Sequence, residues 1–253
     1  METPAPKIIL AALPGILTGP VTASWPDELD AWLFERDSSI KVLKKEYVAG
    51  PLPLWNCWVK DPLLARSLVN EILLFHPGGL PPGVVASATN TLPSIWLVAH
   101  SNGAVIALRA TKMLLARGCQ VDGMILIGAA CEPDVRRNGV LAAARAGQLG
   151  AAWAYCSAED EVLDGAPNPH SNNWLTRVRE WFWGKLIFPY GCLGHTGWRL
   201  DQETVPDALA ERLRIRSRFY PGGHAAYFDD ARREATFGQI LEDIRLEMEP
   251  TKL

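Results

Sequence analysis

The chain has 253 residues, 25 Lys and Arg against 28 Asp and Glu for a net charge of −3, and 48% hydrophobic residues, with a mean hydropathy of +0.02. Such a length suits one hydrophobic core, so residues 1–253 are read as a single domain. The composition is too apolar for a disordered chain and too interrupted by Pro, Gly and charge for a membrane bundle. It also lacks the clustered Lys and Arg that nucleic acid or anionic lipid would require.

In chain order, the first apolar run is Ile8–Leu17, with Lys7 before it and Val21-Thr22-Ala23 after it. It has the outline of a secretory leader. Pro14-Gly15 interrupts it, however, and Ile8–Ala12 reads equally well as a buried strand. No run approaches the roughly 20 apolar residues of a membrane span, so no stable membrane insertion is expected. The five cysteines, Cys57, Cys119, Cys131, Cys156 and Cys192, are an odd number without C-x-x-C spacing. They read as free thiols in a reducing compartment, and a cytoplasmic location is the expectation.

Short apolar runs recur with helical patterns between them, as in strands buried on both faces of a parallel sheet. They are Lys7–Leu13, Ile40–Val48, Ile95–His100, Val121–Ala130, Ala152–Ala158 and Leu213–Tyr220. The predicted fold is α/β, a doubly wound and mostly parallel sheet flanked by helices. Phe75–Leu92, rich in Pro and Gly, reads as a surface loop leading into the third strand. After Ser101 a helix apolar nearly all round should run to a stop at Gly118, buried at the centre of the domain. A last helix should open after Asp229-Asp230 and pack Phe237, Ile240, Leu241 and Ile244 on the sheet. The run Arg212, Arg214, Arg216, Arg218, alternating with Leu213, Ile215, Ser217, Phe219, predicts an edge strand with one apolar face and one wet basic face.

The chemistry concentrates at Ile95-Trp96-Leu97-Val98-Ala99-His100-Ser101-Asn102-Gly103-Ala104, where an apolar strand turns straight into a helix through a serine flanked by small residues. A nucleophile on so sharp a turn needs small neighbours two before and two after it, because backbone approaches closely there. Ala99 and Gly103 fill those positions, with Ala in place of the first Gly of G-x-S-x-G.

The sequence here resembles the α/β-hydrolase fold family over nearly its whole length. The resemblance rests on Ala99–Gly103, on Leu13-Pro14-Gly15-Ile16 after the first strand, which looks like the family's His-Gly-x loop with Pro14 for the histidine, and on the order Ser, acid, His. It implies Ser101 as nucleophile and Asp160 as acid, in Tyr155–Val162, with Glu159, Asp164 and Asp134 as competitors. It implies His224 as base, in Phe219–Phe228, with His195 in reserve. His76 and His170 sit in Pro-rich loops, and His100 is expected to point away from the site. The oxyanion hole would be the backbone N–H groups of Ile16 and Asn102.

The space between Ala130 and Ala151 holds one helix and no large cap. Residues 165–200 then form a small lid or pocket wall, or a helix packed on the sheet, with Trp174, Leu175, Val178, Trp181 and Phe182 at helical spacing. No metal-binding or nucleotide-binding motif appears, so no cofactor and no metal are expected. The implied activity is a serine carboxylesterase or lipase-like hydrolase acting on a small-molecule acyl ester through an acyl-enzyme. An acyltransferase or thioesterase with the same triad, and a non-catalytic binding protein on the same scaffold, are the competing readings. Oligomeric state is left open.

Overall fold

The computed structural model describes residues 6–15, 25–45, 59–76, 92–164, 191–200 and 206–248. In chain order they form β1 (Ile8–Leu13), α1 (Trp25–Arg36), β2 (Ile40–Lys44), α2 (Asp61–Phe75), β3 (Ser94–His100), α3 (Gly103–Leu115), β4 (Val121–Ile127), α4 (Val140–Arg145), β5 (Leu149–Cys156), α5 (Glu161–Asp164), α6 (Leu193–Thr196), α7 (Asp207–Arg212), β6 (Ile215–Phe219) and α8 (Arg233–Met248).

The six strands make one sheet in the order β2-β1-β3-β4-β5-β6, every pairing parallel. Alternation along β1 divides the core in two. Ile9, Ala11 and Leu13 face the layer of α2, α3, α4 and α7, whereas Ile8, Leu10 and Ala12 face α1 and α8. Burial on both faces explains why these strands read as continuous apolar runs, and why the stretch from Ile8 is a strand in the middle of the sheet. Each buried Leu or Ile adds about 1.5–3 kcal/mol of favourable transfer free energy.

The chain leaves β1 for β2 on one side and returns to β3 on the other. The sheet's order therefore reverses between β1 and β3, where a doubly wound fold opens a crevice at the carboxyl ends of its strands. Leu13 lies beside Ala99 in the register, which brings Pro14-Gly15 up against the turn after His100.

The central helix is as the sequence predicts. From Gly103 to Leu108 every residue of α3 is buried, and the helix ends before Gly118, which takes φ +78°. Phe237, Ile240, Leu241 and Ile244 of α8 are likewise buried. Of the helices that the sequence analysis does not assign, α1 and α2 are the longest. The second carries the signals of one, Pro62 in its first turn and Ala65, Leu68, Val69 and Ile72 on its buried face.

The arginine strand requires a correction. It begins at Ile215 rather than Leu213, because Leu213 ends α7 and Arg214 takes φ +54°. It is an edge strand, but its basic face is partly covered rather than fully open to solvent. Arg214 and Arg216 pair with Glu247 at 2.9 and 2.7 Å, and Arg218 pairs with Asp243 at 3.1 Å, both acids being almost fully buried on α8. Arg216 and Arg218 also lie over the Trp153 ring, 5.0 and 4.9 Å from its centre. The arginines are thus a seam joining the sheet edge to the last helix, while Phe219, on the face expected to be apolar, is exposed.

Candidate active site

Ser101 occupies the turn between β3 and α3 at φ +53°, a left-handed conformation costly for a residue with a Cβ and typical of strained functional turns. Four backbone bonds hold it there. Its N–H donates to the Ile127 carbonyl at 3.0 Å, and its own carbonyl accepts from Ala104 at 3.2 Å and Ala130 at 3.1 Å, while Val105 N–H donates to the Asn102 carbonyl at 2.9 Å. The small neighbours have a measurable reason. A Cβ on Gly103 would stand 2.5 Å from the Leu13 carbonyl oxygen and 2.7 Å from that of Pro14. A Cβ on Gly15 would stand 2.6 Å from Ser101 Cβ and 3.2 Å from its Oγ. The end of β1 therefore lies directly against the serine.

Asp160 follows β5 in a short turn and is wholly buried. Its Oδ1 accepts the Leu163 N–H at 3.0 Å, and its Oδ2 accepts from His224 Nδ1 at 2.7 Å. His224 follows β6, and its loop is tied to the acid's loop twice more. Ser157 Oγ donates to the Gly222 carbonyl, and Glu159 Oε2 accepts the Gly222 N–H at 2.7 Å. The second of these commits Glu159 to the backbone of the loop after β6 rather than to the His224 ring.

The other candidates are placed elsewhere. Asp134 accepts the Arg136 N–H at 2.9 Å and pairs with the guanidinium groups of Arg136 and Arg137. Asp164 faces His195 at 3.8 Å, which removes both the competing acid and the reserve base from the Asp160–His224 pair. His76 is buried at the end of α2. Ile16, His170 and most of the 165–200 segment lie outside the described residues, as do Cys57 and most of the loop from Phe75 to Leu92.

Asn102 is buried beside Ser101. Its side chain reaches a residue the sequence reading missed. Asn102 Nδ2 donates to Oδ1 of Asp61, in the first turn of α2, at 3.4 Å. Asp61 is 0% exposed, and among the described residues its Oδ2 and the Oδ1 of Asn102 have no hydrogen-bond partner. Burial raises the Asp61 pKa to about 6 against the lowering effects of the Asn102 bond and the Arg109 charge.

His100 also departs from expectation. It does not point away: its ring packs on the His224 ring, 4.8 Å between centres, and its Nε2 lies 3.1 Å from the His224 carbonyl oxygen. No group of three His, Cys, Asp or Glu able to hold a metal occurs among the described residues. The buried thiols of Cys131 and Cys156 are pushed well up by burial and so stay protonated and unreactive. Among the described residues no helix is long and apolar enough to cross a membrane.

A parallel doubly wound sheet, a strained serine turn between its third strand and the following helix, and acid and histidine after the next-to-last and last strands together form the arrangement of the α/β-hydrolase fold. No protein-family model and no curated protein matches the chain. Among solved structures, it is similar to the NocB thioesterase domain from the nocardicin cluster, at 14% identity over 95% of this chain and 94% of that one, with a TM-score of 0.46. It is similar to the RedJ thioesterase from the prodiginine biosynthetic pathway in Streptomyces coelicolor, at 14% identity over 94% of each chain and a TM-score of 0.44. It is also similar to polyneuridine aldehyde esterase, at 13% identity over 94% of this chain and 99% of that one, with a TM-score of 0.41.

Proposed function

We propose that the protein is a serine hydrolase that cleaves carboxylic esters through an acyl-enzyme, with Ser101 as nucleophile, His224 as general base and Asp160 as its orienting acid. The observation that carries this reading is the 2.7 Å contact between His224 Nδ1 and the buried Asp160 carboxylate. A carboxylate held there fixes the tautomer that carries its proton on Nδ1, leaves Nε2 free to accept a proton, and stabilises the imidazolium once formed. The strained Ser101 turn at the mouth of the sheet's crevice is the second support.

In the first half-reaction Ser101 Oγ bonds to the acyl carbon as its proton passes to His224 Nε2. The carbonyl electrons move onto oxygen, where the backbone N–H of Asn102, and by the resemblance that of Ile16, receive the charge. The C–O bond to the leaving alcohol then breaks as His224 returns the proton to it. Water repeats the sequence on the acyl-enzyme and releases the acid. No cofactor enters these steps.

Hydrolysis of p-nitrophenyl esters from acetate to palmitate tests the reading, with wild type beside Ser101→Ala and His224→Ala. A parallel series of acyl thioesters ranks the two leaving groups. Turnover lost in both variants is expected, with a fluorophosphonate probe labelling wild type at Ser101. Wild type no faster than Ser101→Ala on every substrate, with no labelling, would overturn it.

A further inference from the structure

His100 is a buried imidazole immediately before the proposed nucleophile, and the mechanism above gives it no task. It is the last residue of β3, on the sheet face of Trp96 and Val98, and it is 1% exposed. Its surroundings form a continuous series of rings. Trp25 stacks on Phe228 at 4.8 Å, Phe228 meets His100 edge-on at 5.2 Å, and His100 tilts against His224 at 4.8 Å. Phe228 belongs to the short 3-10 turn Ala226–Phe228, two residues after the base, so His100 contacts the base loop at its ring, its backbone and its anchor.

Chemistry selects one form of His100. Complete burial, reinforced by the neighbouring His224, lowers its pKa to about 3, so it carries no charge at neutral pH. A neutral imidazole has one N–H. The His224 carbonyl, 3.1 Å from Nε2, can only accept, so the proton resides on Nε2. Nδ1 is then a bare acceptor, with no partner among the described residues, and it stands 3.3 Å from where a Gly15 Cβ would be. An uncharged neighbour also suits the reaction, since a second cation 4.8 Å away would oppose the imidazolium formed on His224.

We propose that His100 is the positioning residue of the base: it donates Nε2–H to the backbone carbonyl of His224 and packs its ring on the imidazole, so that His100 at the end of β3 and Ser101 in the turn after it set where base and nucleophile stand relative to each other. Asp160 and Glu159 hold the base loop from the β5 side, and His100 holds it from β3. Without the His100 bond the loop keeps its β5 attachments and the Trp25–Phe228 stack but loses its tie to the strand that leads into the nucleophile, and a misplacement of an ångström costs on the order of 100-fold in rate. The inference rests on the serine-hydrolase reading.

Two substitutions separate donation from packing. His100→Phe keeps a ring and removes the donor, and kcat should fall roughly 10- to 100-fold with KM changed much less. His100→Gln places an amide N–H where Nε2 was and should recover most of the loss. Unchanged kcat in His100→Phe, or an equal fall in both variants at wild-type melting temperature, overturns the proposal. Should a variant fail to fold, nitrogen NMR of the wild type decides: His100 must be the Nε2–H tautomer and must not titrate between pH 5 and 9, and an Nδ1–H or charged ring overturns it. Absence of fluorophosphonate labelling in wild type sinks the hydrolase reading instead, and leaves the tautomer result standing as a structural fact.

Discussion

Asp61 is a carboxylate with no exposed surface, one long hydrogen bond from Asn102 and an oxygen without a partner among the described residues. Its pKa sits at about 6 in the folded protein, against an ordinary value of 3.8. The folded state thus binds the proton more tightly than the unfolded chain, and the charged form opposes folding. The destabilisation is absent below the unfolded value, grows as pH rises from about 4 to 6, and is complete above that. At 1.36 kcal/mol per pKa unit it amounts to roughly 2–3 kcal/mol at neutral pH. Asp61→Asn removes the charge, keeps an oxygen to accept from Asn102, and adds a donor where two oxygens have no partner among the described residues. The variant should melt roughly 4–10 °C above wild type at pH 8, and the gap should be largely gone at pH 4. Differential scanning fluorimetry across that range checks it, with other titrating groups common to both proteins cancelling in the difference. A variant less stable than wild type at pH 8, or a gap independent of pH, would refute the argument from burial and leave the Asn102 contact as the reason for the acid.

Three further outcomes follow from distances already given. Asp160→Asn, which keeps the shape of the side chain but cannot hold the Nδ1–H tautomer of His224, should cost roughly 10⁴ in kcat without loss of fold, read from steady-state ester hydrolysis beside circular dichroism. Gly103→Ala drives a methyl into the carbonyl oxygens of Leu13 and Pro14, which are backbone and cannot swing away. It should destabilise by roughly 1–3 kcal/mol in urea unfolding and reduce turnover at least 100-fold as β1 is pushed from the serine. Glu247→Ala leaves Arg214 and Arg216 half-buried without their shared carboxylate, and should cost roughly 1–3 kcal/mol with ester hydrolysis unchanged, since the seam lies away from the site.

What the sequence disclosed depended on how far apart the interacting residues lie along the chain. The serine turn was legible because strand, small neighbours and helix are all within ten residues, and each is needed for the same steric reason. Asp160 and His224 are 64 residues apart, yet both sit just past apolar strands, so the parallel topology itself delivers them to one end of the sheet. Residues whose role comes only from a distant contact escaped. Asp61 looks like an ordinary acid in the first turn of a helix until α2 packs beside α3 and sets it under Asn102. The arginine strand was misread for a related reason: alternation separates two faces but does not say what covers them. Asp243 and Glu247, four apart on the last helix, were the available signal, a pair of acids on one helical face able to meet a row of arginines.

His100 shows the same limit and also how it can be passed. Adjacency to Ser101 suggested a side chain directed elsewhere, and on the pleat of β3 His100 emerges on the face opposite Ala99. That side is the one lined by Trp96 and Val98, onto which the segment after β6 must fold back, because α8 presents its apolar stripe there. Once α8 is assigned to that layer, the loop joining it to β6 has to cross the carboxyl end of β3, and His224 lies in that loop. The strand before the serine therefore points its last side chain at the base because of the layer to which the final helix belongs. A swap at position 100 accordingly tests the placement of the base more directly than any change within its own loop.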